Sequence, residues 1–240
     1  MTSAGNDIVS LRTVDKQRTN QSRFYSQILS GSEQDLYHQP RFSEMPFEHY
    51  VWLLWSVKES AYKYVKRNIT DLEFSPTKII IQHIDIPVKA LTINLENSRW
   101  KGPAYCDEFY RGMVICERQI IYFRSKIDTD WIATVVNDDE GFENVYWGVQ
   151  IIDESGYSHQ SKAARALVLD KLGSFLPGDL QVKKNLAGCP VISKGTQNMH
   201  IPVSLAHDDH FVAYSFLLKP DSHCQTQPGV FNSSTSFLSY

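Results

Sequence analysis

At 240 residues, with 42% hydrophobic and 21% charged side chains, the chain has the composition of a soluble globular protein, either one large domain or two small fused ones. A formal net charge of -3 argues against a nucleic-acid binder that depends on broad phosphate neutralisation, yet leaves room for a local basic pocket for a phosphorylated small molecule. Residues 1–7 lack the apolar core of a signal peptide, and apolar runs such as Val51-Trp52-Leu53-Leu54-Trp55 are far too short to span a bilayer. Cys106, Cys116, Cys189 and Cys224 show no CxxC spacing, so a cytoplasmic protein with reduced thiols is expected, without a membrane or nucleic-acid partner.

In chain order, residues 7–11 read as a short strand, followed by a polar stretch over 12–22 and a helix around 34–37. The clearest helix covers 47–66: Pro46 suits its first turn, and Leu54, Val57, Ala61 and Val65 recur at spacings of three and four. Strand patterns follow at 78–84, 113–116, 120–123, 131–136 and 145–152. Residues 161–175 return to helix, with Ala164, Leu167, Val168 and Leu172 on one face and Gly173 near the end. Strands at 189–192, 201–205 and 211–217 close the pattern, and 219–240, rich in Ser, Gln and Pro, reads as a flexible tail. The insert near residues 95–110 carries no functional pattern.

A weak internal repeat is visible. Residues 125–133 resemble 204–212, and Gly5-Asn6-Asp7-Ile8-Val9 has a partner in Gly148-Val149-Gln150-Ile151-Ile152. Each copy would be a strand, a helix and several strands. The first has Asp7 where the second has Gln150, and the second has His207 where the first has Asp128. Unequal polar residues in two related halves suggest one composite site between them.

The strongest chemical signal is Trp55-Ser56-Val57-Lys58-Glu59-Ser60-Ala61-Tyr62-Lys63. On a helix Glu59 and Lys63 share a face, with Trp55 one turn earlier and Lys58 beside the row. A carboxylate for a hard cation beside ammonium groups for phosphate oxygens would suit a metal-bound polyphosphate. Taken alone, such an i, i+4 pair is usually an exposed contact worth under about 0.5 kcal/mol.

The order WxxKES/AxxK resembles the signature helix of the 4'-phosphopantetheinyl transferase superfamily, with Trp55, Lys58, Glu59, Ser60 and Lys63 in its positions. Residues 5–9 resemble the GxDxV strand of the acyl-carrier-protein-synthase branch, and Pro202-Val203-Ser204-Leu205-Ala206-His207 resembles the family's serine-histidine strand. Arg23-Phe24, Ile28-Leu29-Ser30 and Glu33 look like the segment that links strand to signature helix.

The resemblance implies an α+β fold of two pseudo-symmetric halves, each a long helix packed on a small antiparallel sheet, with coenzyme A bound where they meet. Residues 1–140 would carry the metal motifs and 141–218 the serine-histidine motif, an order opposite to that of the surfactin-synthetase-type enzymes. The resemblance further implies that Asp7 and Glu59 hold Mg2+ and that Glu59 and Lys63 are catalytic. Lys58, Lys63, Ser204 and His207 would bind coenzyme A, the co-substrate. The phosphopantetheine arm would go to a serine of an apo acyl or peptidyl carrier protein, with release of 3',5'-ADP. Fatty-acid, polyketide and nonribosomal-peptide carriers all fit, and two fused halves would make a monomer sufficient.

Three residues depart from the family's pattern. Asn6 stands where an aliphatic residue is usual, and Val9 stands where the surfactin-synthetase type has a further acidic ligand. Gly188-Cys189-Pro190 resembles the family's GKP turn with Cys189 in place of lysine, a loss that Lys183 or Lys184 would have to offset. The alternatives are a non-catalytic relative that binds coenzyme A or a nucleotide, and a protein-interaction module whose KES helix is a solvated face.

Overall fold

A computed structural model describes residues 3–87 and 108–219. The expected tail from 220 onward, most of the 95–110 insert, Cys106 and Cys224 lie outside the described residues. The chain opens with β1 (Gly5–Ser10), two single-turn helices, α1 (Lys16–Thr19) and α2 (Ser22–Tyr25), and α3 (Gly31–Tyr37). The stretch expected to be merely polar therefore contains α1 and the start of α2. Asp15 caps α1 by accepting from Arg18 N–H, and Ser30 with Glu33 forms a reciprocal capping box on α3.

The long helix α4 runs Phe47–Lys66, the span that its apolar periodicity predicts. Pro46 is its N-cap, just before the first turn, where its fixed φ fits and its missing N–H costs nothing. Glu48 in the first turn and Lys63 and Lys66 in the last complement the helix dipole. A 3-10 turn at Pro76–Lys78 delays the next strand, so β2 is Ile80–Asp85, two residues after its expected start. Then come β3 (Tyr110–Cys116), β4 (Gln119–Ile127), β5 (Trp131–Asn137) and β6 (Val145–Ile151). Helix α5 (Tyr157–Gly173) begins four residues before the expected start and ends on Gly173. The chain closes with β7 (Leu180–Lys184), β8 (Pro190–Lys194), β9 (Gln197–Asn198), β10 (Val203–Asp208) and β11 (Phe211–Leu217). Of these, β7 and β9 were not expected.

The result is a mixed α+β fold of antiparallel sheets: one in the order β1-β5-β4-β3-β2, one in the order β10-β11-β6, and a small β7-β8-β9 sheet. Helix α4 covers the first sheet, where Leu54, Val57, Ala61 and Val65 share the main core with Val9, Ile84, Val114, Ile121 and Phe123. Helix α5 covers the second sheet; Val168 and Leu172 pack with Val203, Tyr214 and Phe216, and Ala164 meets Val212. In both sheets the strand before the long helix pairs with the last strand of the segment, β1 with β5 and β6 with β11.

All six residues of β1 are buried, because both of its faces are covered. Strand alternation sends Val9 into the core beneath α4 and Ile8 into a cluster with Ala206, Phe211 and Ala213 of the second sheet. Gly5 is needed at the close crossing with α4: a Cβ there would sit 2.2 Å from the Ser60 carbonyl oxygen. The outer edge of β1 is covered by side chains of β10. Asn6 N–H donates to Ser204 Oγ (3.2 Å) and Ser10 N–H donates to Asp208 Oδ2 (2.8 Å). Both bonds span 198 residues, so β1 and β10 run in the same direction side by side. This latch brings the second sheet to the first and blunts an otherwise open strand edge.

Candidate active site

Where α4 crosses β1, the two periodicities bring three ionisable groups together. Asp7 points from β1 toward the helix, while Glu59 and Lys63 lie one turn apart on the helix face that meets it. Lys63 Nζ donates to Asp7 Oδ1 at 2.9 Å and to Asn6 O at 3.2 Å, and is 3.2 Å from Glu59 Oε1. The ammonium therefore sits between two carboxylates contributed by different elements.

Asp7 is only 5% exposed, and burial pushes its carboxyl up to about 7. Lys63 opposes that rise and the Glu59 charge adds to it. Burial works against the charge of Lys63, but Asp7 and Glu59 hold its pKa above the ordinary lysine value. One lysine does not satisfy this group. Asp7 Oδ2 is buried with no donor at close hydrogen-bond distance, as are both amide atoms of Asn6 next to it; the buried Ser56 hydroxyl, equally without a close partner, is near enough to lower the Asp7 pKa slightly. A buried carboxylate oxygen without a donor is costly, and a hard cation would relieve that cost. Among the described residues no three His, Cys, Asp or Glu side chains gather as a metal cage. Asp7 and Glu59 are two oxygen donors, which is the number Mg2+ commonly takes when phosphates and water complete its shell.

The second sheet supplies the facing wall. His207 on β10 is half-buried; burial lowers its pKa and the nearby Lys63 charge lowers it further against the opposing charge of Asp208, which favours the neutral imidazole beside the ion trio. Tyr157, at the start of α5, packs edge-on against it with ring centroids 5.3 Å apart. Ser204 is buried, its hydroxyl accepting from Asn6 N–H, so it joins the seam between the sheets directly beside Lys63's partner Asn6. Asp208 is also drawn in. Burial raises its pKa against the hydrogen bond from Ser10, and the charges of Asp209 and Glu59 raise it further.

Lys58 is not part of this group, contrary to the expectation that both lysines project toward phosphate. Its side chain is fully buried on another face of α4, where Nζ donates to Glu33 Oε2 (2.6 Å), Ile28 O (2.7 Å) and Pro76 O (3.0 Å). An ammonium has three N–H groups, and all three are used. Glu33 in turn accepts from Ile81 N–H and Ser30 N–H. Lys58 thus ties α3, the Pro76 turn and β2 to the helix.

A cleft of about 560 Å3 opens further along β1 and α4, with Val9, Ser10, Trp55, Phe24, Phe74 and Asp208 among its walls; Asp7, Glu59, Lys63 and His207 do not line it. Its volume is in the range of small-molecule sites. Trp55 is one turn from Glu59, so the KES helix lines both the ion group and the aromatic wall. Cys116 is buried and Cys189 half-buried, both as free thiols. Neither Lys183, which bonds Gly195 O, nor Lys184 is placed at the ion trio by any described contact. Sequence reasoning missed Glu33 as the partner of Lys58, Asp208, and Arg67 at the C-cap of α4. Spacing could have revealed Arg67, since it continues the row Glu59, Lys63 by one more turn.

No helix among the described residues is long and apolar enough to cross a membrane. A family model described as the 4'-phosphopantetheinyl transferase superfamily matches residues 3–121, which takes in β1, α4 and the whole ion trio. No curated protein and no solved structure gives a significant match.

Proposed function

We propose that this chain, which belongs to the 4'-phosphopantetheinyl transferase superfamily, transfers the 4'-phosphopantetheine group of coenzyme A to a serine of an apo acyl or peptidyl carrier protein. The observation that carries this reading is the Asp7-Lys63-Glu59 group, with its unpartnered Asp7 oxygen, inside the matched segment. Asp7 and Glu59 would hold Mg2+, which supplies charge neutralisation at the phosphate oxygens of coenzyme A.

The carrier serine Oγ bonds to the phosphorus that bears pantetheine. The bond from that phosphorus to the bridging oxygen breaks, and its electron pair leaves with 3',5'-ADP. Glu59, 28% exposed at its side chain, takes the serine proton. Lys63 is 26% exposed at its side chain, enough to turn its ammonium from the carboxylates to a phosphate oxygen. Neutral His207 donates a hydrogen bond to the coenzyme A phosphates from the opposite wall, and Ser204 holds β10 in place there. Lys58 has no role toward the substrate, since its three donors are used inside the core. The aromatic cleft beside Trp55 suits the pantetheine arm, which is apolar and amide-bearing.

We read residues 1–140 and 141–218 as two fused, related halves, with 219–240 as a tail. Support comes from the shared connection of strand, long helix and returning strand, and from the β1–β10 seam. Because the site draws on both halves of one chain, a monomer suffices.

The test is mass spectrometry of apo carrier proteins incubated with the protein, coenzyme A and Mg2+. A gain of about 340 Da, the mass of a transferred phosphopantetheine group in this phosphoryl-transfer chemistry, with 3',5'-ADP released and no gain for Glu59→Ala, is expected. Bound coenzyme A with no gain on carriers of fatty-acid, polyketide or peptide type would make the chain a binding relative instead.

A further inference from the structure

Helix α4 turns four polar side chains toward β1. Ser56, Glu59, Ser60 and Lys63 follow one another at spacings of three, one and three, which places them on one helix face. Strand β1 passes this face against the direction of the helix. A Cβ on Gly5 would meet Ser60 O and Tyr64 Cβ, while Val9 shares the cleft wall with Trp52 and Trp55. Asp7, midway between Gly5 and Val9, is therefore level with the turn that runs from Ser56 to Ser60.

The two serines of that turn are both wholly buried, yet they differ in what they bond. Ser60 Oγ donates to Ser56 O at 2.8 Å, the bond to the carbonyl four residues back that helical serines often make, and Thr134 O is 3.4 Å away. Ser56 Oγ makes no such bond to its own helix. It is sealed from solvent with no partner at hydrogen-bond distance, and so is Asp7 Oδ2. Burial is what raises the Asp7 pKa most; Lys63 and the Ser56 hydroxyl are the two donors that lower it. A donor and an acceptor, each costly to leave unpaired, thus face the same contact between helix and strand.

We infer that Ser56 is a positioning residue for the metal-binding carboxylate: its hydroxyl donates to Asp7 Oδ2 and fixes the rotation of the carboxylate plane. The inference rests on the reading of Asp7 and Glu59 as Mg2+ ligands given above. Lys63 bonds Oδ1 alone, and the terminal torsion of an aspartate is broad, so attachment at one oxygen leaves the plane free to turn. A second donor at the other oxygen removes that freedom. A carboxylate oxygen has two lone-pair sites, so Oδ2 can accept from Ser56 through one and offer the other to a cation. Ser56 and Glu59 lie three residues apart on one helix, so a single rigid element carries one ligand and sets the orientation of the other. Hydrogen-bonded support of this kind tunes a metal site without touching the ion.

The experiment is an EPR titration of Mn2+ into the wild-type protein, Ser56→Ala and Ser56→Thr, with coenzyme A present, no carrier protein, and coenzyme A alone as the blank. Ser56→Ala should weaken Mn2+ binding roughly 10- to 100-fold, the usual scale for loss of a group that orients a ligand. Ser56→Thr, which keeps the hydroxyl, should stay within about 3-fold of wild type. Where the extra methyl of threonine is not accommodated, Ser56→Cys, a weaker donor of similar shape, should fall between alanine and wild type. Melts in chelator separate positioning from packing: Ser56→Ala should melt within about 2 °C of wild type, because the hydroxyl it removes has no close partner without metal. Unchanged Mn2+ affinity in Ser56→Ala overturns the role of Ser56 and leaves the site reading intact. So does a weakening that comes with an equally lowered melt in chelator and is not rescued by a hydroxyl or thiol. No Mn2+ binding by the wild type overturns both.

Discussion

Helix α4 carries two ion groups built from similar parts, and they have opposite characters. Lys58 and Glu33 are wholly buried, and every donor of the lysine is satisfied. Five residues on, Lys63 lies between Asp7 and Glu59, partly exposed, with a carboxylate oxygen left over. The first group is closed and has nothing to offer a ligand. The second holds one cation where its carboxylates could take two, which is the condition of a site that has work to do on something outside the chain. The difference arises from what the helix faces: α3 and the Pro76 turn supply acceptors that use every donor of Lys58, while β1 gives Lys63 the Asp7 carboxylate and the Asn6 carbonyl and leaves Asp7 Oδ2 without a close donor.

The largest effect expected on stability comes from breaking the closed pair. Lys58→Met or Glu33→Ala should each cost about 3 to 5 kcal/mol, because the remaining partner is stranded in the core. Lys58→Met combined with Glu33→Gln, which removes the buried charges and keeps an acceptor for Ile81 N–H, should recover most of that loss. Chemical denaturation of the three variants measures it, and equal instability of the double variant would show that the pair is needed for more than mutual compensation.

The open group should show itself in the pH dependence. The Asp7 pKa in the folded state, about 7, lies above its ordinary value of 3.8, so folding favours the protonated acid. Its contribution is complete below about pH 4 and is lost as pH rises through 7, a decline on the order of 2 to 4 kcal/mol in metal-free protein. Thermal melts in chelator across pH 4 to 8 should follow that slope, and Asp7→Asn should flatten it. A smaller effect is expected at the seam. Asp208→Ala removes the acceptor for Ser10 N–H and should cost about 1 to 2 kcal/mol, while Asp208→Asn, which keeps an acceptor, should cost less. Equal losses would assign the effect to charge and not to the latch.

How much of this could be read from the sequence differs by element, for physical reasons. Helix α4 and strand β11 were legible to the residue. Their apolar patterns are uninterrupted, and Pro46 marks where α4 begins. The start of α5 was not, since Tyr157, Ser158, His159 and Gln160 carry no apolar stripe, and Gln160 is buried by a bond to the Asp209 carbonyl that only the fold creates. Strand β7 was missed because Gln181, Lys183 and Lys184 leave too little apolar alternation. At the site, Asp7, Glu59 and Lys63 were found through their motifs and spacing. The fate of Lys58 depended on Glu33, 25 residues away, and no local pattern tells a lysine that faces solvent from one that turns inward to a capping-box glutamate.

The most direct test of the contrast between the two groups is the transfer rate per folded molecule for Glu59→Gln beside the Lys58→Met/Glu33→Gln double variant, with coenzyme A, Mg2+ and an accepted carrier. The account predicts a loss of at least about 1000-fold for Glu59→Gln, equivalent to about 4 kcal/mol of transition-state stabilisation, and a rate within about 10-fold of wild type for the double variant. Transfer at the wild-type rate by Glu59→Gln, or an equal collapse in the double variant, would contradict it.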